Sequence, residues 1–447
     1  MNRKEFLHKS AYGALGAVAL SQWLWACRKT ELFEEGDYSG KVVVIGAGAA
    51  GLYAAYLLRS KGVEVEVLEA ADRYGGRLGK LEGFADYPLD LGAQWLHGKN
   101  SILGDLIKRT DTAISRDNSE SRFWFEGELK RSTPVDIADA FSKEDLPDVS
   151  FLDYADQQGW GRGSAYEYIV EWAAGDQGAG AEAISAFWNI KEEENWSSGE
   201  ADFKFEQTFF DLFNNHVVPT IADRIRTNTV VNRIDYSGSS IVVTDQQGQT
   251  YTADKVIVSV PLPILQDGDI QFTPALPSAK VAAFQKLGMG PGMKVFLKFS
   301  EAFYPGNIVG GAVCAAYADE REGKSGSDHV LLAFVMGTQA QKLTDLGSDQ
   351  AIINALLAEL DDMFDGAATA AYLDGRVQNW TTEPFVRGAY SYATVGVGES
   401  RKTAAEPIED RLLFAGEAMN LNGHHQTVHG AVETAIREVT RIFESAQ

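Results

Sequence analysis

Residues 41–70, "KVVVIGAGAAGLYAAYLLRSKGVEVEVLEA", constrain this chain more than any other stretch. Lys41 to Ile45 is a continuous, mostly β-branched run, the pattern of a strand buried on both faces of a parallel sheet. Gly46-Ala47-Gly48-Ala49-Ala50-Gly51 follows, and "LYAAYLLRSKG" has a helical pattern. In such a turn Gly46 permits the tight bend, Gly48 lets backbone approach a pyrophosphate, and Gly51 lets helix and strand pack closely. The helix N-terminus adds N–H groups and the positive end of its dipole. "VEVEVLEA" makes a second strand that ends at Glu69-Ala70. An acid there accepts hydrogen bonds from ribose hydroxyls and repels a 2′-phosphate, which disfavours NADP. Strand, glycines, helix, strand and acid together describe a dinucleotide-binding βαβ unit. The motif alone does not choose between FAD and NAD.

The first 27 residues, "MNRKEFLHKSAYGALGAVALSQWLWAC", pose a different constraint. A charged start is followed by a short apolar region rich in Ala and Gly, the pattern of a signal peptide. Leu24-Trp25-Ala26-Cys27 resembles a bacterial lipobox, whose cysteine becomes the lipidated first residue. "NRKEFLHK" resembles a twin-arginine export signal with Lys4 at the second arginine. That route moves folded proteins, so a cofactor could be loaded before export. Residues 28–40 read as a polar tether. The expectation is an exported protein, periplasmic or anchored at the outer membrane through Cys27. The membrane enters only through that anchor, because no central segment has the roughly 18 apolar residues of a span.

The chain of 447 residues has a formal net charge of −23. Arg3, Lys4 and Lys9 against Glu5 make residues 1–26 net positive by two, so the remainder is near −25. Such a surface repels nucleic acid and attracts cations, either for solubility or to steer a cationic substrate. The two cysteines, Cys27 and Cys314, have no metal-ligand spacing, and no metal is expected.

Further motifs are spread along the chain. "DRYGGRL" supplies Gly75, Gly76 and Arg77, "LDLGAQWLHG" follows at 89–98, and the C-terminal part carries "RLLFAGEAMNLNGHHQTVHGAVETAIRE". In this order they resemble the flavin-containing amine oxidase family, over nearly all of residues 41–445. The resemblance implies FAD as cofactor. It implies an α/β fold with a Rossmann-type FAD-binding domain (GxGxxG) and an interleaved α+β substrate domain of mixed sheet and helices. The FAD domain is expected from 41–110, 225–290 and 376–447, and the substrate domain from 111–224 and 291–375, with "SRFWFEGELKRS" and "MKVFLKFSE" as its clearest strands.

Carried over by position, Gly46, Gly48, Ala50, Gly51, Glu69, Ala70, Gly76 and Arg77 hold the adenosine and phosphates. Gly92, Ala93, Gln94 and Trp95 run beside the isoalloxazine, and Val231 of "VVNRID" meets adenine. Gly416 and Glu417 of "FAGE" meet the second phosphate and ribitol, and Thr427 and Val428 the pyrimidine end. The segment "GPGMKVFLKF" resembles the one whose lysine grips a water at flavin N5, here Lys294. By alternation alone Lys294 and Lys298 are both ordinary half-exposed strand residues. Trp380 and Tyr390 of "NWTTEPFVRGAYSY" match the aromatic residues near the flavin. Where monoamine oxidases place a second tyrosine this chain has Thr427, as the polyamine oxidase and histone demethylase branch does. His97 of "WLHG" matches a histidine near the substrate of polyamine oxidases.

Three departures stand out. Ala389 occupies the position of the cysteine that bonds FAD covalently in monoamine oxidases, so noncovalent FAD is expected. A glycine-rich turn common in the family is missing around Phe205 to Thr208. Asn422-Gly423-His424-His425-Gln426 is an insertion without an assigned role. The implied reaction is amine dehydrogenation, with a hydride passing to flavin N5 and O₂ reduced to H₂O₂. Lys294, Tyr390, Trp380, His97 and Thr427 make the catalytic set. The arginine that clamps the carboxylate in L-amino-acid oxidases is missing from "LGAQWLHG", which favours a polyamine or other cationic amine. An L-amino-acid oxidase, a flavin dehydrogenase and an FAD-binding scaffold remain alternatives, and the oligomeric state is open.

Overall fold

A computed structural model describes residues 38–132, 146–160 and 165–445. The leader, the Cys27 lipobox and residues 28–37 of the tether lie outside the described residues.

The β-branched run becomes Lys41–Ile45, the middle strand of a five-stranded sheet. Across that sheet stand Ile225–Arg226, Glu64–Leu68, Lys41–Ile45, Lys255–Val258 and Leu412–Phe414, all paired in parallel. Val42 and Val44 face one core and Val43 and Ile45 the other, as period-2 geometry requires of a strand covered on both sides. On the first side lie the helices Ala49–Ser60 and Val428–Glu444, through Leu52, Ala55, Val432 and Val439. On the second side a four-stranded sheet built around Val231–Asp235 and Ile241–Asp245 packs Ile234 and Val243 against the parallel strands.

A seven-stranded mixed sheet forms the other body. Its order is Tyr372–Asn379, Gly292–Phe299, His329–Met336, Ala316–Asp319, Asn307–Val309, Ser121–Phe125 and Glu128–Lys130. Its pairs are antiparallel except Asn307–Val309 with Ser121–Phe125. The helix Asp349–Met363 covers one face, with Ile353, Leu356 and Leu360 on Val295, Leu297 and Leu331. Alternation along Gly292–Phe299 sends Lys294 and Phe296 to the opposite face.

Two expected boundaries move. The switch at 375/376 falls inside Tyr372–Asn379, which pairs along Gly292–Phe299 before the chain can leave the sheet. Residues 202–221, expected with the substrate domain, join the core of the parallel sheet. Phe203, Phe205, Phe209, Phe213 and Val217 share one apolar cluster there with Leu52 and Leu58. Where the glycine-rich turn is missing, the strand Asp202–Phe205 runs straight toward the helix Phe209–His216. Thr208 and Asp211 close that helix start with a reciprocal capping box.

Candidate active site

The turn after Lys41–Ile45 follows from its glycines. Gly46 has φ +100°, a conformation L side chains rarely adopt. A Cβ on Gly51 would stand 1.9 Å from the Gly46 carbonyl oxygen, so the helix approaches the turn as only glycine allows. The helix Ala49–Ser60 has no acidic residue in its first turn and no side-chain cap, which leaves its N–H end for a ligand. A Cβ on Gly48 or on Gly416 would meet no protein atom within 4 Å. Both backbones therefore border open space, a cradle that fits the diphosphate of a dinucleotide.

Around this cradle the acids and bases are pre-arranged. Glu69 at the strand end accepts from Ala47 N at 2.6 Å and Ala71 N at 2.9 Å, and burial raises its pKa despite these bonds. Glu417 is buried and accepts from Arg77 at 3.1 Å, the Ser391 hydroxyl at 2.7 Å and Gln426 N at 2.8 Å. Burial alone would raise its pKa, but Arg77, the Ser391 hydroxyl, Arg401 and the Gln426 N–H together hold it below the ordinary carboxylate range.

A cavity of about 1000 Å³ is lined from both bodies. Gly46, Gly48, Ala50, Glu69, Ala70, Gly76, Arg77, Gly92, Ala93, Gln94, Trp95, His97, Val231, Lys294, Trp380, Tyr390, Gly416, Glu417, Thr427 and Val428 all line it. Of the cofactor-binding and catalytic residues expected from the sequence, Gly51 alone is outside the lining, since its part is the helix–turn contact.

Lys294 is 3% exposed, so it is no solvated strand lysine. Its Nζ donates to the Asp90 carbonyl oxygen at 3.0 Å and to Gln94 Oε1, and lies 5.6 Å from the centre of the Trp95 ring. Burial lowers its pKa, against the opposing pull of Glu320 and Asp90. Burial raises that of Asp90, whose carboxylate accepts from Phe209 N at 2.8 Å. Trp380 is buried and donates its indole N–H to the Leu91 carbonyl at 3.1 Å, and the Tyr390 hydroxyl donates to the Asp176 carbonyl at 2.7 Å.

Thr427 lines the cavity, but its hydroxyl serves the helix that starts there. It donates to the His424 carbonyl at 2.7 Å and accepts from Gly430 N at 2.9 Å. Its hydroxyl thus caps that helix, with its proton given to the His424 carbonyl. The insertion before it is a buried brace. His424 Nδ1 is 2.7 Å from Glu433, and its Nε2 accepts from Ser197 N at 3.1 Å. The first contact fixes the Nδ1–H tautomer, since the second nitrogen must be an acceptor.

Sequence reasoning missed several carboxylates. Asp117, Asp176 and Asp202 line the same cavity as His97, Trp172 and Tyr390, and Glu320 stands behind Gln94. Asp202 lies 2.8 Å from His97 Nδ1. Asp117 accepts from the Trp95 indole N–H at 2.9 Å. Burial would raise the Asp117 pKa, yet Lys204 and the Ser119 and Trp95 donors hold it low. Only the alternation of "DFKF" bears on Asp202, and it does not say what the strand faces.

Comparisons with known proteins agree with this geometry. Residues 49–214 and 214–443 match the family described as flavin containing amine oxidoreductase. The probable polyamine oxidase 4 of Arabidopsis thaliana is 30% identical over 438 residues, which cover 89% of this chain and 86% of the relative. The human lysine-specific histone demethylase 2 is 29% identical over 445 residues, 91% of this chain, and the chain spans about half of that relative, 54%. Among solved structures, wild-type putrescine oxidase bound to putrescine superposes with a TM-score of 0.78 at 22% identity, over 91% of this chain and 99% of the other. Cyclohexylamine oxidase from Brevibacterium oxydans superposes with a TM-score of 0.77 at 18% identity, over 91% and 99%. With a cradle for a dinucleotide, a buried lysine at its inner end and a family match over both halves, the chain belongs to the flavin-containing amine oxidoreductases, FAD-dependent enzymes that oxidise amines.

Proposed function

We propose that this chain oxidises a cationic amine of the polyamine class. The observation that carries the reading is a set of carboxylates on the cavity wall, with Asp202 against His97, Asp117 against Trp95, and Asp176 at the Tyr390 hydroxyl through its carbonyl. Carboxylates hold the ammonium groups of a polycation away from the reacting nitrogen. Burial away from water between the cavity walls disfavours charge on the nitrogen that must react as a free amine. Bound FAD would supply the two-electron acceptor for the amine, with dioxygen as the terminal acceptor. The balanced reaction is RCH₂NHR′ + O₂ + H₂O → RCHO + R′NH₂ + H₂O₂. Gly46, Gly48, Glu69, Arg77, Gly416, Glu417 and the backbone at Thr427 and Val428 would hold the cofactor. Trp380 and Tyr390 orient the amine, and no side chain is assigned as a general base. Lys294 would turn its Nζ, held by Gln94 and the Asp90 carbonyl, toward the bound cofactor.

Purified holoprotein, screened against putrescine, spermidine, spermine, monoamines and L-amino acids with peroxide detection, tests this. Polyamines are expected to give the highest kcat/KM, and Asp202→Asn to raise their KM more than that of a monoamine. Higher kcat/KM for L-amino acids would refute the reading in favour of carboxylate recognition by Arg116, which also lines the cavity. Flavin bleaching by polyamines without peroxide in air would identify a dehydrogenase.

The proposed location is outside the cytoplasm, with a lipid anchor at Cys27. It is supported by the leader composition and by "LWAC". Cys27→Ala should then release the protein from the membrane fraction or block its processing, and unchanged fractionation and migration would sink the anchor.

A further inference from the structure

Lys294 does not stand alone. Its ammonium donates to Gln94 Oε1, and Gln94 Nε2 donates to Glu320 Oε1 at 2.8 Å. Glu320 is 2% exposed and does not line the cavity, and Lys204 Nζ lies 3.9 Å from its carboxylate. The chemistry dictates the direction of this chain. An ammonium only donates and a carboxylate only accepts, so the carboxamide between them must turn its oxygen to Lys294 and its nitrogen to Glu320. Without Glu320, Gln94 could turn its NH₂ toward the lysine, which would leave two donors facing each other. Glu320 lies 226 residues from Gln94, just beyond the strand Ala316–Asp319 of the mixed sheet.

We propose that Glu320 is a positioning residue that acts on Lys294 through the Gln94 carboxamide, setting the amide's orientation and holding the ammonium charge beside the cofactor cavity. The proposal rests on the reading of Lys294 as the cofactor-side lysine. The charges that act on Lys294 are Glu320 and Asp90, which favour its ammonium form, and Lys204 and Lys324, which oppose it together with burial. Lys204 is itself held by the Asp319 carbonyl at 3.2 Å, and Lys324 by the Phe205 carbonyl at 2.8 Å. Glu320 is thus one of two anions standing against two cations and a dry environment.

The test uses the FAD-loaded full chain without substrate. The flavin absorption band is followed against pH in wild type, Lys294→Met, Glu320→Gln and the double variant, with FAD content and Tm recorded for each. Wild type should show an inflection from Lys294, and Lys294→Met should abolish it. Glu320→Gln keeps the shape and an acceptor for Gln94 but removes the charge. It should therefore move the inflection down by about one pH unit or more, with FAD content unchanged. Gln94→Leu, which cuts the chain while Glu320 stays, should move it in the same direction. In the double variant the band should match Lys294→Met. An inflection lost in Lys294→Met yet unmoved in Glu320→Gln would overturn the relay and leave the place of Lys294 intact. An inflection that survives Lys294→Met, or its absence from wild type, would overturn both. A Glu320→Gln effect of equal size on the band in the Lys294→Met background would overturn action through the lysine.

Discussion

Lys294 and Lys298 alternate identically along one strand, yet one is buried and the other half-exposed. Lys298 reaches Asp328 at 2.6 Å and the Phe84 carbonyl at 3.2 Å near the sheet's rim, while residues 90–95 cover Lys294. What lies over a strand position is decided by distant chain, so alternation cannot separate the two. Lys294→Met keeps the stem and removes the donors. Loss of one preorganised polar group at a reacting centre costs on the order of 2.7–4 kcal/mol, roughly 10²- to 10³-fold in rate. Stopped-flow spectra should show that loss in flavin reduction, reoxidation or both, with FAD still bound. Rates within about twofold of wild type would make Lys294 a structural residue. Glu417 carries the second residue-scale prediction. Its folded pKa is depressed, so the stability it contributes is present above the ordinary carboxylate range and is lost as pH falls through the folded value. Glu417→Gln should cost about 3 kcal/mol near neutrality by leaving Arg77 without its buried partner. The gap to wild type in chemical denaturation should close on acidification. Parallel curves down to about pH 3 would show that the charge is not the source.

At the scale of the element, the glycine turn and its helix were legible because their roles are local. Gly46 bends, Gly51 admits the helix, and both requirements lie within six residues of chain. The structure bears on two of these glycines differently, as their expected roles require. Gly51→Ala places a Cβ against the Gly46 carbonyl, so the helix must move off the strand. A cost of about 3 kcal/mol or more, seen as a lower Tm of the apoprotein, is expected. Gly48 has φ −77° and open space before it. Gly48→Ala should leave apoprotein stability within about 0.5 kcal/mol of wild type. Its added methyl should instead weaken FAD binding, read by titration of the apoprotein. Equal Tm losses in the two variants would show that the space before Gly48 is not a ligand cradle. The insertion at 422–426 and the cap at Thr427 were not legible in this way. The cap is made within three residues of Thr427 but was not expected from the sequence, whereas the brace needs Ser197, 227 residues away.

Across the whole molecule, the two bodies meet over one cavity, and its chemistry depends on which residues the meeting leaves there. Ala389 lines the cavity where a covalent link would need a thiol. Cys314 is buried in the core beneath the mixed sheet, where burial pushes its thiol well above the ordinary value. FAD should therefore be released into the supernatant by acid precipitation, and flavin retained in the pellet would contradict this. By itself the sequence determined the nucleotide-binding βαβ unit, the strands "VVVI" and "MKVFLKF" and the order of motifs. Each of these is written in a short window where backbone preference and apolar period act directly. Tertiary structure alone decided that residues 202–221 join the core of the parallel sheet, that one of two equivalent lysines is buried, and that Asp202 meets His97 across 105 residues. It also decided that Glu320 backs Gln94 across 226. Such pairings carry no local signal, because the free energy that selects them comes from covering apolar faces elsewhere, and the polar groups arrive together only once those faces are closed.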